Sequence, residues 1–247
     1  MPRVADLRVK LFADGADLGA IRAFAANPLI KGFTTNPTLM RKAGVSDYAR
    51  FAQDVLGVIG ERPISFEVFS NGFDEMEAQA HEIATWGPNV YVKIPVTNTR
   101  GEFAGALLER LTAAGVHVNV TALLTLDQVR RVTACLSPEV PSCISVFAGR
   151  IADTGRDPVP LMSEAVRIAA VLPHAEIVWA SPRELLNVFQ ADEAGCHIIT
   201  ATPDVLGKLK LVGLDLDEFS LDTVKMFRDD AVAAGFTIVP RRSAASS

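Results

Sequence analysis

The sequence predicts an α/β protein built as a single-domain (β/α)8 TIM barrel with an additional C-terminal helix. Short β-like runs alternate with longer amphipathic runs eight times, at a mean spacing of about 27 residues. No Pro- or Ser-rich linker interrupts the repeat. The runs predicted as strands are apolar on both faces, as in a parallel sheet covered by helices. An open, doubly wound sheet is the alternative, but eight repeats in about 200 residues favour closure into a barrel.

Hydrophobic periodicity, together with residues that typically begin or end helices, predicts each strand and helix. Asp17 is placed to cap the first helix, Gly87 and Gly115 to end two later ones, and Pro182 to begin another. The predicted strands are residues 9–14, 31–36, 64–69, 90–96, 116–123, 143–150, 176–181 and 196–202. The predicted helices are 17–28, 37–60 with a break near Gly44, 73–87, 101–115, 126–136, 158–173, 182–195, 203–213 and 221–235. The barrel domain is predicted over residues 1–240, and residues 241–247 as a disordered tail.

Composition excludes several classes of protein. Of 247 residues, 49% are hydrophobic, which supplies a sizeable core and excludes disorder for most of the chain. The net charge of -5, without a basic stripe, argues against a nucleic-acid partner. No apolar run is long enough to span a membrane, and residues 1–10 lack the apolar centre of a signal peptide. Three scattered cysteines fit a reducing compartment, so we expect a cytoplasmic protein.

The carboxyl ends of the predicted strands are rich in polar residues. In a (β/α)8 barrel the active site lies at these ends, so their side chains are the candidates for chemistry. The four histidines and three cysteines show no ligand spacing, and no metal site is predicted. The candidate residues are Asp14, Thr34, Thr35, Asn36, Glu67, Lys93, Asn119, Thr121, Ser145, Arg150, Ser181 and Arg183.

Lys93 lies in the middle of an apolar strand, between Val92 and Ile94. Burial disfavours the charged ammonium form of a lysine and so favours a nucleophilic amine. Together with the carboxylates of Asp14 and Glu67, such an amine can perform Schiff-base chemistry, in which the imine accepts electrons and the carboxylates move protons. A structural ion pair between Lys93 and either carboxylate is the alternative.

The other candidates also have structural alternatives. Asp14 is equally suited to capping a helix or pairing with a cation, and Glu67 to facing the solvent. Asn36 is placed to cap the helix that begins at Pro37. Asn119 and Thr121 lie two residues apart, so they share one face of a strand; if buried, they need a polar ligand or water.

Arg150 and Arg183 are predicted at the ends of the sixth and seventh strands. An arginine fork matches the oxygens of a phosphate, and late strands of such barrels often carry a phosphate site. Each arginine taken singly is more often a surface charge. Together they indicate a phosphate-binding site.

These strand ends, in this order, resemble those of the transaldolase family. The resemblance extends from KLFADGAD to the final helix and is strongest in GFTTNPTLM (32–40), VYVKIPVT (90–97), VNVTALLT (118–125), SVFAGRIAD (145–153) and WASPRE (179–184). It implies a (β/α)8 barrel that moves a dihydroxyacetone unit from a ketose phosphate to an aldose phosphate, within the pentose phosphate pathway and without metal or organic cofactor. It also implies a homo-oligomer, either a dimer or a pentamer or decamer.

The resemblance also implies a role for each site residue. Lys93 is similar to the Schiff-base lysine, Asp14 to the carboxylate that handles the hydroxyl proton, Glu67 to a glutamate acting through a water, and Thr121 to the threonine that holds this water. The residues that resemble substrate-binding groups are Thr34, Asn36, Asn119, Ser145, Phe147, Arg150, Ser181 and Arg183. Of these, Arg150, Ser181 and Arg183 resemble the phosphate-binding set.

The sequence leaves two alternatives to a transaldolase. A related fructose-6-phosphate aldolase type carries Gln where this chain has Glu67 and Tyr where it has Phe147, and it lacks the counterpart of Asn119. All three positions follow the transaldolase pattern here. Pro182 and Val146 depart from the pattern, the first beside the predicted phosphate site. The other alternative is a barrel that binds sugar phosphates without catalysis.

Overall fold

The computed structural model describes residues 3–238 and confirms the barrel. Eight parallel strands pair in chain order, and the last pairs with the first to close the sheet. The strands are β1 (Lys10–Asp14), β2 (Ile30–Thr34), β3 (Ile64–Glu67), β4 (Val90–Pro95), β5 (Val118–Leu123), β6 (Ser142–Val146), β7 (Ala175–Trp179) and β8 (Ile198–Ala201). The helices are α1 (Leu18–Ala25), α2 (Pro37–Lys42), α3 (Tyr48–Ile59), α4 (Phe73–Ala84), α5 (Gly105–Ala113), α6 (Leu126–Cys135), α7 (Ala148–Ala152), α8 (Val159–Ala169), α9 (Leu186–Glu193), α10 (Pro203–Leu206) and α11 (Leu216–Ala233).

Internal contacts divide the chain into two compact units. Residues 4–210 form the unit that contains all eight strands and helices α1 to α10. Helix α11 belongs to the other unit. The tail predicted over residues 241–247 lies outside the described residues. Within residues 3–238, no helix has both the length and the apolar character that a membrane span requires.

Side-chain caps explain where several helices begin. Asp17, Asn36 and Asp47 each accept a backbone N–H of the first turn, so α1, α2 and α3 start at the following residue. Thr125 and Gln128 form a reciprocal capping box at the start of α6. The caps predicted at Asp17 and Asn36 are therefore confirmed.

Several predicted boundaries are wrong, and two of them lie beside the candidate site. The sixth strand ends at Val146, so Arg150 lies on the short helix α7 instead of a strand. The helix predicted from Pro182 begins only at Leu186, because Asn187 Oδ1 accepts the N–H groups of Arg183 and Glu184 and holds them in a turn.

At the other end of the chain, α11 begins at Leu216, five residues before the predicted start. Asp215 accepts the N–H groups of Asp217 and Glu218, so this capping aspartate sets the start of the helix.

Strand alternation divides the barrel interior into an apolar layer and a polar layer. Inward-facing residues nearer the strand starts form an apolar floor, and four of the five residues two positions further on are polar: Asp14, Lys93, Ser145 and Thr200. A Cβ on Gly32 would lie 2.4 Å from the ring of Phe12, so glycine at this position leaves room for that ring. The apolar floor consists of Phe12, Tyr91, Cys143, Val178 and Ile198. Because the floor fills the lower interior, the polar side chains lie at the carboxyl end of the sheet.

Candidate active site

One cavity of about 490 Å³ lies at the carboxyl ends of the strands. The structure brings all the predicted catalytic and substrate-binding residues to its lining, although six of the eight strands and three segments that follow strands supply them. These residues are Asp14, Thr34, Asn36, Glu67, Lys93, Asn119, Thr121, Ser145, Phe147, Arg150, Ser181 and Arg183. Within residues 3–238, no group of three or more His, Cys, Asp and Glu residues could hold a metal ion.

Lys93 is a buried residue in the lining of this cavity. Its side chain is 9% exposed, and Nζ lies 3.2 Å from Glu67 Oε2. Nζ also donates a hydrogen bond of 2.9 Å to the backbone carbonyl of Thr35. The ion pair considered from the sequence is therefore present, and it lies inside the cavity. The amine has a carboxylate beside it that can exchange a proton.

Asp14 ends β1 and is held by a chain of hydroxyl groups. Thr34 Oγ1 donates to Asp14 Oδ1 at 2.7 Å, and it lies 2.5 Å from Thr200 Oγ1 on β8. Burial raises the pKa of the Asp14 carboxyl above its ordinary value, although the Lys93 charge and the Thr34 hydroxyl act in the opposite direction. A raised pKa suits a carboxyl group that must both accept and return a proton.

The raised pKa of Asp14 predicts a pH-dependent gain in stability on its neutralisation. An acid whose pKa is higher in the folded state favours folding at low pH, and this contribution is lost as pH rises through the folded pKa. Asp14→Asn is therefore expected to raise the free energy of unfolding at pH 7 by about 1 kcal/mol. The gain should disappear as pH falls below 3.8, the ordinary pKa of the group.

Urea unfolding of wild type and Asp14→Asn over a series of pH values measures this difference. Asp54→Asn, which removes a carboxylate from the exposed side of α3, is the control and should show no such gain. A variant less stable than wild type at pH 7 would show that attraction to Lys93 outweighs burial.

Asn119 is fixed within a buried network of three side chains. Ser145 Oγ donates to Asn119 Oδ1 at 2.7 Å, and Asn119 Nδ2 donates to Ser65 Oγ at 2.9 Å. These bonds hold the Asn119 amide between two serine hydroxyls. One N–H of Asn119 remains for a ligand, because an amide nitrogen carries two hydrogens.

Thr121 faces the cavity on the same side of β5 as Asn119. Among the described residues, its buried Oγ1 has no hydrogen-bond partner. The next residue, Ala122, has φ of +67°, and the pairing of β5 with β6 shifts register between Val120 and Leu123. Such strained backbone is uncommon for alanine and typically occurs at functional sites. A buried hydroxyl beside an open cavity is suited to holding a water molecule or a ligand.

Two arginines lie at the rim of the cavity. The Arg150 guanidinium carbon lies 5.8 Å from the centre of the Phe147 ring. Arg183 binds Asp153 through two parallel hydrogen bonds, one of them 3.1 Å from Nε to Oδ1. This pair uses one edge of the guanidinium and leaves Nη1 for another anion.

Gly149 allows these two segments to approach each other. A Cβ at this position would lie 1.6 Å from the carbonyl oxygen of Ser181 and 3.2 Å from Arg183 Nε. Ser181 itself has φ of +60°. The close approach of α7 and the segment after β7 thus depends on a residue without a side chain.

Sequence reasoning missed four residues that position the site. Thr200 stands in a predicted strand end and could have been found by the strand-end rule. Ser65 lies two residues before Glu67 and so shares its face. Tyr48 binds Glu67 from α3, and Asp153 binds Arg183 from the end of α7. The last two lie outside the predicted strand ends, and no pattern in the sequence indicates them.

Comparison with known proteins agrees with this geometry. The family model described as Transaldolase/Fructose-6-phosphate aldolase matches residues 11–238. A protein named "Probable transaldolase" from Dehalococcoides mccartyi is 33% identical over 80% of this chain and 88% of its own length. Another of that name, from Desulforudis audaxviator, is 34% identical over 90% of this chain and 97% of its own.

A more distant likeness concerns the fold alone. The crystal structure of KGPDC from Streptococcus mutans has a TM-score of 0.55 at 8% identity, covering 80% of this chain and 88% of that one. The family model, in contrast, matches residues 11–238, a range that includes every residue lining the cavity. This chain therefore belongs to the Transaldolase/Fructose-6-phosphate aldolase family.

Proposed function

We propose that this protein is a transaldolase. It transfers a dihydroxyacetone unit from sedoheptulose 7-phosphate or fructose 6-phosphate to erythrose 4-phosphate or glyceraldehyde 3-phosphate, as a cytoplasmic enzyme of the pentose phosphate pathway. The observation that carries the proposal is the buried Lys93 amine, 3.2 Å from Glu67, in a cavity that also contains Asp14. The match to the family supports the same chemistry.

The reaction begins when the Lys93 amine attacks the carbonyl carbon of the ketose and water leaves, which forms an imine. Asp14 then takes the proton from the hydroxyl group next to the scissile bond. The carbon–carbon bond breaks, its electron pair moves toward the imine as an enamine, and the first aldose phosphate departs. The raised pKa of Asp14 favours this uptake of a proton.

The second half of the reaction reverses these steps on a new acceptor. The enamine carbon attacks the acceptor aldehyde, and the new hydroxyl group receives the proton held by Asp14. Glu67 and a water bound by Thr121 then transfer the protons needed to hydrolyse the imine and free the lysine. The buried, unpartnered Oγ1 of Thr121 supports its role in binding this water.

The remaining lining residues are proposed to bind the two ends of the sugars. Asn36, Asn119 and Ser145 hydrogen-bond the dihydroxyacetone part. Arg150 and Arg183, with Ser181, bind the phosphate group, because their positions at the rim of the cavity suit a group far from the reacting carbon. Phe147 and Thr34 support Arg150 and Asp14 by the contacts described above.

The proposal predicts that transfer is much faster than release of free dihydroxyacetone. Glu67→Gln should shift the ratio of transfer to release toward release, because the amide keeps the shape of the side chain but cannot exchange the proton. Coupled assays with fructose 6-phosphate, with and without erythrose 4-phosphate, measure both rates in wild type and variant. If wild type releases dihydroxyacetone as fast as it transfers it, the fructose-6-phosphate aldolase type is the correct activity.

A further inference from the structure

The hydrogen-bond ladder between β2 and β3 opens beside Glu67. Phe33 N–H donates to the carbonyl of Pro63 at 2.9 Å, and Thr35 N–H donates to that of Ser65 at 3.2 Å. In a parallel ladder the next bond would run from Glu67 N–H to the carbonyl of Thr35. That bond is replaced by two side-chain bonds, because the chain turns at Asn36 into α2.

The two side chains that replace the bond are Lys93 and Tyr48. Lys93 Nζ donates to the carbonyl of Thr35 at 2.9 Å. The Tyr48 hydroxyl accepts from Glu67 N–H at 2.7 Å and donates to the carbonyl of Glu67 at 3.1 Å. The opening of the ladder thus gives the lysine an acceptor, and a single phenol satisfies both backbone groups of Glu67.

Tyr48 is held in this position by aromatic neighbours. Its ring lies 5.9 Å from that of Phe66, 5.3 Å from that of Trp86 and 4.6 Å from that of Phe69. The first two contacts are edge-to-face, a favourable geometry for aromatic pairs. The hydroxyl therefore reaches Glu67 from a packed side chain at the start of α3, and its direction is fixed.

We propose that Tyr48 is a positioning residue that sets the direction of the Glu67 carboxylate toward Lys93. The inference rests on the proposed function, since the measured consequence is the transfer reaction that Glu67 is proposed to control. Glu67 is the last residue of β3, so no following strand residue fixes its backbone on the β2 side. Without the phenol, a backbone N–H next to the reacting groups loses its partner.

The test compares Tyr48→Phe with Glu67→Gln and with the double variant. Tyr48→Phe removes one oxygen atom and keeps the ring in its aromatic packing. We expect it to lower the ratio of transfer to release about fivefold, the factor that one hydrogen bond of ordinary net strength represents.

In the double variant, Tyr48→Phe should cause no further decrease in this ratio, because Tyr48 acts through the Glu67 carboxylate. Borohydride trapping of the dihydroxyacetone adduct on Lys93 counts the competent sites in each preparation.

Tyr91→Phe is the matched control, since Tyr91 is the other tyrosine of the chain and lies in the apolar floor. It should leave the ratio unchanged. A purely structural role of Tyr48 would reduce the trapped fraction without changing the ratio, and that result would overturn the inference. If Glu67→Gln lowers the ratio and Tyr48→Phe does not, the inference fails and the proposed function stands. If wild type forms no adduct on Lys93, the inference about Tyr48 and the proposed function both fail.

Discussion

Lys93→Met is expected to abolish turnover while the barrel remains folded. The amine is the nucleophile of the proposed reaction, and no other described lysine lines the cavity. Loss of the nucleophile of a covalent mechanism should reduce kcat at least about 10⁴-fold. Methionine keeps an unbranched side chain at this position, so the packing around it changes little.

The stability of the variant needs its own measurement, because the substitution leaves Glu67 without its cation. The Glu67 side chain is 19% exposed and faces the cavity, where water can solvate it. Thermal unfolding followed by circular dichroism should therefore show a cooperative transition. Mass spectrometry after borohydride treatment with fructose 6-phosphate should show an adduct in wild type and none in Lys93→Met.

Lys10→Met provides a matched control. Lys10 also pairs with a carboxylate, Glu176, at 2.5 Å, but it stands at the start of β1, away from the cavity. This variant should retain activity and adduct formation. Turnover of Lys93→Met above a small fraction of the wild-type rate would show that another group is the nucleophile.

Gly149→Ala is expected to damage both stability and phosphate binding. The added Cβ would lie 1.6 Å from the Ser181 carbonyl oxygen. The carbonyl oxygen is a backbone atom, and the Cβ is bonded directly to the backbone. No rotamer change can relieve the overlap, so α7 or the segment around Ser181 must move. We expect a loss of about 2–4 kcal/mol in the free energy of unfolding. The KM of a phosphorylated acceptor should rise more than that of its unphosphorylated analogue, because Arg183 moves with this segment.

Gly57→Ala is the control for the effect of the methyl group itself. Gly57 lies within α3, and a Cβ there would meet no atom within 4 Å. Alanine in that exposed helical position should stabilise the protein by about 0.5–1 kcal/mol. Urea unfolding of the two variants against wild type measures both changes. If Gly149→Ala leaves the free energy of unfolding unchanged, α7 and the segment around Ser181 are more widely separated in solution.

The sequence predicted the barrel and the cavity residues that stand on its strands because both follow from strand periodicity. Alternation places Asp14 above Phe12 and Lys93 above Tyr91 on the inner face, and parallel pairing brings the strand ends together. The lysine therefore stood out as a charge within an apolar run.

Features that depend on tertiary packing could not be predicted in this way. The bond from Tyr48 to Glu67 joins residues on different elements, and the pair of Arg183 with Asp153 spans 30 positions. The helix predicted from Pro182 begins four residues later because the Asn187 side chain binds backbone N–H groups and holds a turn there. Such competition between a side chain and helical hydrogen bonds is not visible in the composition.

The apolar floor has a consequence for the order of events in catalysis. Phe12, Cys143, Val178 and Ile198 are each at most 5% exposed, and they fill the interior beneath the polar layer. In the proposed reaction, donor and acceptor sugars therefore reach Lys93 by the same route, from the carboxyl end of the strands. Because the first aldose phosphate occupies that route until it leaves, we expect the proposed transfer reaction to follow ping-pong kinetics. The departing and the arriving aldose phosphates then compete for the same form of the enzyme.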